Sequence, residues 1–228
     1  MADWVTISSL ATAGGTLVLA FATFSSVKSA NRSARIAEQS LLVGLRPVLV
    51  PSREEDPIER LRFGDGQIVQ VPGHGGAADV NDDQIYLALG LRNGGNGLAV
   101  VHGWQARMRQ PPANPGAGRV TEAPDPETFR EQQLDIFVPA GDSGFWQGAM
   151  RDPSMPGYHE VLEALQDDDG SIEIDLLYGD HEGGQRTIVR FVIAPWPTDD
   201  DRPPVDHAMR AIAIRYWTVD GHDPRERD

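Results

Sequence analysis

The sequence predicts a mainly β protein: a β-sandwich with one short helix insert, preceded by a long N-terminal helix. Eight or nine short segments between residues 47 and 219 alternate apolar and polar side chains, or are bounded by turn residues. Residues 1–46 contain no proline and follow a helical pattern. The 24 glycines and 17 prolines argue against a helical bundle for the bulk of the chain.

Composition narrows the class of protein. A chain of 228 residues buries one good core or two small ones. It contains no cysteine, which excludes a disulfide scaffold, a thiolate zinc site and a cysteine nucleophile. The net charge of -14 argues against nucleic acid as a general partner, because such binding needs a basic surface.

The strand pattern is clearest at residues 84–91, where four apolar side chains alternate with Tyr86, Ala88 and Gly90. A short helix is expected at 158–166, and the turn at 93–97 (Asn-Gly-Gly-Asn-Gly) is expected to need positive φ angles. Residues 110–128 and 198–206 are expected to be loops. The expected strands are 47–50, 67–71, 84–91, 99–108, 134–138, 144–150, 172–178, 186–193 and 208–219.

The N-terminal segment 4–27 carries no charged side chain. At 1.5 Å per residue, 24 helical residues are long enough for a hydrocarbon core of about 30 Å. The segment is only moderately apolar, since Ser, Thr, Gly and Ala dilute its larger side chains. No basic residue precedes it, so a secretory signal peptide fits poorly. A membrane span is therefore predicted, with a buried core helix as the alternative.

Basic residues predict the orientation of that span. Lys28, Arg32 and Arg35 follow it closely, whereas Asp3 is the only charged side chain before it. The positive-inside rule then places the N-terminus outside and the C-terminal domain in the cytoplasm. Residues 1–46 carry four basic and two acidic side chains, so the remainder, 47–228, has a net charge of -16. An anionic lipid surface repels such a domain, which favours a protein partner.

Two surfaces of the long helix are predicted to pack against another helix. In the span, small residues recur four apart and would allow backbones to approach closely in lipid. In the connecting segment 28–46, a narrow apolar seam recurs at steps of three and four; it fits docking against protein better than a free coiled coil. The small residues are Ser9, Ala11, Ala13, Gly14 and Gly15, and the seam consists of Val27, Ala30, Ala34, Ala37 and Leu41.

Short motifs carry a resemblance. Leu45-Arg-Pro-Val-Leu-Val50 follows the helix, Leu91-Arg-Asn-Gly-Gly-Asn-Gly-Leu-Ala99 follows a strand, and Tyr178-Gly-Asp180 begins a hairpin turn. This arrangement resembles a loose class of bacterial membrane-anchored proteins of unknown function. The resemblance implies an immunoglobulin-like sandwich and implies no activity.

Three motifs suggest chemistry, and each fails on its context. Residues 73–78 match G-x-G-x-x-A, but a turn-like acidic stretch follows where a dinucleotide site needs a helix. His159 and Glu160 begin an H-E-x-x-H pattern that Glu163 ends without the second histidine. Residues 167–170 (Asp-Asp-Asp-Gly) do not keep the register of an EF-hand loop. The sequence therefore predicts no catalytic residue, no cofactor and no metal site.

The resulting hypothesis is a single-pass membrane-anchored binding or scaffold protein, an accessory subunit or adaptor of a membrane complex. Its partner would be an integral membrane protein or a second copy of the chain. The expected segments are a transmembrane helix (1–27), a connecting helix (28–46), the β-sandwich (47–219) and a charged tail (220–228). The alternative is a membrane-tethered enzyme or small-ligand sensor whose site is dispersed over the Asp-rich loops.

Overall fold

The computed structural model describes residues 4–110, 122–197, 203 and 205–220, with the side chains of 4–11 and 39 outside the description. The chain divides into two units, Met1–Leu45 and Arg46–Asp228. The second unit is called the β domain below. The expected loops 110–128 and 198–206 fall partly outside the described residues, and the tail beyond Asp220 falls wholly outside them.

The first unit is one helix, α1 (Trp4–Gly44), which confirms the predicted long N-terminal helix. It ends where expected, because Pro47 disfavours helical backbone at Arg46. Every described side chain of α1 is exposed, including Leu17 and Phe21 at 72% and 75%. In the part of the chain that the structure describes, no helix is both long and apolar enough to cross a membrane.

The β domain is mainly β, as predicted, with the helix insert α2 at Tyr158–Gln166 and a short 3₁₀ helix at Pro126–Thr128. Its strands are β1 (Leu49–Pro51), β2 (Glu59–Arg62), β3 (Ile68–Val71), β4 (Gly75–Asn81), β5 (Gln84–Asn93), β6 (Ala99–Met108), β7 (Arg130–Val138), β8 (Ser143–Met150), β9 (Ile172–Gly179), β10 (Thr187–Ala194) and β11 (Ala208–Thr218).

Nine of these strands form one antiparallel sheet. The order is β1-β5-β4-β11-β10-β9-β6-β7, and β8 pairs with the other edge of β5. β2 and β3 form a separate hairpin whose apolar side chains, with Leu61 and Val69 among them, pack over Tyr86 and Ala88 of β5. Successive side chains of β5 point to opposite faces of the sheet. One set faces the main core and the other set lies under the β2–β3 hairpin, so β5 is buried on both faces.

The large sheet curls until its two ends meet. Gln132 of β7 accepts a hydrogen bond from Trp146 Nε1 of β8 at 3.2 Å and donates one to the carbonyl oxygen of Gln147 at 3.4 Å. Inside the curl lies one core, to which Leu89, Ile174 and Phe191 contribute fully buried side chains from three strands. Nine of the described strands therefore form one curled sheet, and the expected immunoglobulin-like sandwich is not confirmed.

β4 was not expected. The glycine-rich segment that matched G-x-G-x-x-A is a strand in the middle of the sheet, paired with β5 and β11. A Cβ on Gly76 would lie 2.8 Å from the carbonyl oxygen of Ala88, so close backbone approach explains this glycine. Asp82 and Asp83 both have positive φ (48° and 60°) and form the two-residue hairpin turn before β5.

Two of the motifs that carry the resemblance, 45–50 and 91–99, contact each other at the start of the β domain. The Asn93 side chain accepts hydrogen bonds from the backbone N–H groups of Val48 and Gly95 and donates to the carbonyl oxygens of Gly97 and Val138. The positive φ angles expected for this turn are absent, since the described glycines with positive φ are Gly66, Gly141, Gly157 and Gly183. Gly95 is needed because a Cβ there would collide with the Arg46 carbonyl oxygen.

Asn93→Ala is expected to lower the free energy of unfolding of the full chain by about 3 kcal/mol, because four backbone groups around a fully buried side chain lose their partner. The measurement is chemical denaturation. Asn81→Ala is the matched control and should change that free energy by less than about 0.5 kcal/mol, since its exposed side chain makes one hydrogen bond among the described residues, to Gln67. Equal effects of the two substitutions would contradict this role.

A polar cluster lies beside this motif, with Tyr178 and Thr187 buried and Arg46, Tyr216 and Thr218 partly buried. Arg46 donates to the hydroxyl groups of Thr187 and Thr218 at 3.1 and 2.8 Å, and these threonines are paired across β10 and β11. Tyr216 donates to the Leu49 carbonyl oxygen at 2.8 Å, and the Leu49 N–H donates to Tyr178 Oη at 3.4 Å. Burial raises the pKa of Tyr178 well above its usual value and that of Tyr216 to about 12, so both stay neutral at physiological pH.

Candidate functional site

The predicted helix-packing residues all belong to α1. The side chains of Ser9 and Ala11 lie outside the described residues, and the remaining members, Ala13 to Leu41, are exposed. Gly14 and Gly15 have no heavy atom within 4 Å of a Cβ built on them. Lys28, Arg32 and Arg35 are also exposed. Their roles in helix packing and orientation stay predictions.

The acidic motifs do not come together as a site. Asp167 is the C-cap residue that follows α2. Its side chain accepts a hydrogen bond from the Asp169 N–H, and its carbonyl oxygen accepts one from the Gly170 N–H, so these residues form a local turn. Asp167 and Asp168 line a cavity of about 380 Å³ with His207, whereas His159 and Glu163 do not. Among the described residues, no group of three or more His, Asp or Glu is placed to hold a metal ion.

A different cavity, of about 460 Å³, has the composition of a binding site and is called the β6 groove. It forms where β6 extends past the last β6–β7 pair, Trp104 with Arg130, and α2 begins beside it. Its apolar lining includes Trp104, Phe129, Met150 and Met155. Its polar lining is Gln105, Arg107, Thr128, Arg130 and Glu160.

Two glycines and an aromatic pair shape this region. Trp104 and Trp146 meet edge to face with ring centroids 5.2 Å apart, and Gly148 leaves room for both rings. Gly157, the N-cap of α2, has φ +79°, and a Cβ there would collide with the Ala106 carbonyl oxygen. Only glycine accommodates both the backbone conformation and the close approach that bring α2 against β6.

Two charged side chains of the groove lack an ion-pair partner among the described residues, Arg130 and Glu160. The Arg130 guanidinium lies 5.7 Å from the Trp104 ring centroid and donates to the Met155 sulfur at 2.9 Å. Glu160 is exposed in the first turn of α2. The groove therefore presents one cation and one anion to a ligand.

Two of the other polar lining residues, Gln105 and Arg107, are held by a buried ion network. Arg190 makes a bidentate pair with Asp175, at 2.6 and 2.8 Å, and their side chains are 3% and 1% exposed. Gln105 Nε2 donates to Asp175 at 3.0 Å, and Arg107 contacts Glu173 and Asp175 at 3.1 and 3.3 Å. Gln105 and Arg107 thus have fixed positions on the groove wall.

Strand register creates this network. Gln105, Asp175, Arg190 and Arg215 are consecutive cross-strand partners on β6, β9, β10 and β11, and Arg107 pairs with Glu173. Beside this row, the guanidinium groups of Arg190 and Arg215 lie 4.9 and 5.8 Å from the Trp217 ring centroid. A single row of side chains therefore connects four strands to the groove.

The sequence pattern did not predict the groove or the network. One signal was present: Glu173 and Asp175 alternate with apolar residues on a strand whose hairpin partner carries Arg190. The register of that hairpin depends on the turn at Asp180, whose carboxylate accepts from the N–H groups of Glu182 and Gly184. The pairing with β6 is non-local and has no comparable signal.

Comparison with known proteins finds no protein-family model, no curated protein and no solved structure that matches this chain.

Proposed function

We propose that the protein is a single-pass membrane-anchored binding protein, an accessory subunit or adaptor of a membrane complex. In this proposal the uncharged segment 4–27 of α1, which over its described residues is not apolar enough to be an independent span, crosses the membrane packed against a partner helix, and the acidic β domain lies in the cytoplasm. The resemblance implies an immunoglobulin-like domain, and the shared core of side chains from strands that are not paired, such as Leu89 of β5 and Phe191 of β10, supports a sandwich arrangement.

The exposed apolar surface of α1 carries the proposal. Leu17, Val18, Leu19, Phe21 and Phe24 are all about 70% exposed, in a segment without charge. A continuous apolar surface of this kind is costly in water and marks contact with lipid or protein. Lipid would cover these apolar side chains. The basic residues that follow them match the positive-inside pattern.

Hydroxyl groups in the segment are compatible with lipid. Thr16 and Thr23 donate to the carbonyl oxygens four residues earlier, at 2.9 and 2.8 Å. These bonds satisfy polar hydrogens that would otherwise be costly in hydrocarbon. They support membrane insertion of a segment that Ser and Thr residues make only moderately apolar.

The test of the proposed function is affinity isolation of the tagged full chain from membranes in mild detergent. A stoichiometric integral membrane protein, or a second copy of the chain, is the expected companion. Recovery of the full chain from the membrane fraction as a monomer without any companion would overturn the accessory role.

A reporter at the C-terminus is expected to be active only on the cytoplasmic side, because Lys28, Arg32 and Arg35 follow the span. The measurement uses paired reporters that work on opposite sides of the membrane. Replacing these three residues with Gln, and adding Lys before Trp4, should shift part of the population to the opposite orientation. An active external reporter on the unaltered chain would contradict the prediction.

Gly15→Leu is expected to reduce co-isolation of the partner, or self-crosslinking, without loss of membrane insertion. Helices in lipid associate where small residues let backbones approach, and a leucine at this position would separate them at a cost of about 1 kcal/mol or more. Gly44→Leu, outside the span, is the matched control and should behave as wild type. If both variants retain the partner equally, the span is only an anchor.

A further inference from the structure

The β6 groove has an occupant that its chemistry defines. Its base is apolar, because it consists of the side chains of Trp104, Met150 and Met155. Trp104 and Met150 are 4% and 1% exposed. Its free charges are one guanidinium, Arg130, and one carboxylate, Glu160, which come from different elements. A ligand that pairs with both must carry one negative group, one positive group and an apolar body.

We propose that the β6 groove binds a small zwitterion of the α-amino acid class. The carboxylate would pair with Arg130, the ammonium group with Glu160, and the apolar side chain would rest on Trp104 and Met150. A cavity of about 460 Å³ lies within the range of small-molecule sites. The inference concerns the β domain alone and does not rest on membrane anchoring.

Arg130 is the groove's free anion-binding group. Arg107 is already paired with Glu173 and Asp175, so its charge is neutralised before a ligand arrives. Arg130 has no carboxylate among the described residues, and its contacts with the Trp104 ring and the Met155 sulfur hold its position over the groove. A guanidinium fixed in this way binds a carboxylate with less loss of side-chain entropy.

Net charge favours a zwitterion over an anion. The segment 47–228 has a net charge of -16, and its long-range field repels free anions. Within the groove, the Glu160 carboxylate adds a local repulsion. A zwitterion has no net charge and so avoids the long-range repulsion by the domain. Its ammonium group is attracted to the Glu160 carboxylate, which would repel an anion.

One wall of the groove, beside the residues that would contact the ligand, is held in place. Asp175 is almost fully buried and fixes Gln105, while Glu173 fixes Arg107. A wall that is already fixed keeps the shape of the groove before the ligand arrives, which lowers the cost of binding. This arrangement also gives a role to an ion network that burial alone makes expensive.

The test is calorimetric titration of the full chain in detergent with L-phenylalanine. N-acetyl-L-phenylalanine lacks the ammonium group and L-phenylalanine amide lacks the carboxylate, so each should bind about tenfold or more weakly. Arg130→Gln and Glu160→Gln should weaken L-phenylalanine binding to a similar extent. Both side chains are exposed, so the melting temperature should be unchanged.

Arg109→Gln and Glu163→Gln are the matched controls. Arg109 lies just beyond β6 and Glu163 lies one turn further along α2; both are exposed and neither lines the groove. Both variants should bind L-phenylalanine as wild type does. The proposal is overturned if L-phenylalanine does not bind, if the two derivatives bind as tightly, or if the groove variants bind as well as the controls. None of these outcomes depends on whether α1 is in a membrane.

Discussion

Asp175→Asn is expected to lower the free energy of unfolding by about 3–5 kcal/mol, the largest effect of any single polar substitution proposed for this protein. The substitution removes the carboxylate that faces Arg190 at 2.6 and 2.8 Å. Arg190 would then remain buried as a cation with the Trp217 ring and with Glu173, at 3.4 Å, which it shares with Arg107. A buried charge that loses its closest counter-ion in a region of low dielectric is strongly destabilising.

The matched control is Asp220→Asn, which breaks an ion pair with Arg186 of similar length, 2.6 Å. Those side chains are 43% and 32% exposed, so water and salt screen the pair and its loss should cost about 1 kcal/mol or less. Both variants are measured by chemical denaturation of the full chain. Similar losses for the two would mean that Arg190 finds water or another acceptor when Asp175 is neutral.

A double substitution places two positive charges in the predicted span. Leu17→Arg combined with Phe21→Arg is expected to move the protein out of the carbonate-resistant membrane fraction. An arginine near the centre of a membrane helix costs about 3 kcal/mol on insertion scales, so two cost roughly twice that. Both positions are more than 70% exposed, so the substitutions leave the contacts of the β domain intact.

Ile36→Arg combined with Leu42→Arg is the control for this double variant. It makes the same change of charge on the same helix, at exposed positions beyond the basic flank. This protein should remain in the membrane pellet, since its uncharged segment is unaltered. Equal retention of both double variants would show that lipid does not surround Leu17 and Phe21, and the membrane proposal would fail.

The local elements of the fold are predictable because their signals are local. The pattern at 158–166 predicted α2 with the bounds that the structure has, and 99–108 did the same for β6. Residues 1–46 predicted α1 because no proline interrupts them before Pro47. Apolar alternation marked most strands of the large sheet for the same reason: it depends only on the geometry of one strand.

The misses share a different cause. β4 lacks an alternating apolar pattern and begins with two glycines, which on composition alone favour a turn. Its central place follows from pairing with β11 and from contact with Ile193, both of which lie far from it in the sequence. The sequence pattern therefore did not predict this strand.

The sequence by itself determined the helical N-terminal segment, the uncharged stretch with its basic flank, the negative charge of the β domain and the positions of most strands along the chain. The tertiary structure alone decided that the sheet curls on itself, that Gln105, Asp175 and Arg190 meet in one row, and that Arg130 and Glu160 face the same groove. Helices and strands depend on neighbouring residues, whereas strand order and register depend on pairings between distant segments. The residues of the candidate binding site come from segments that are distant in the sequence, and only such pairings bring them together.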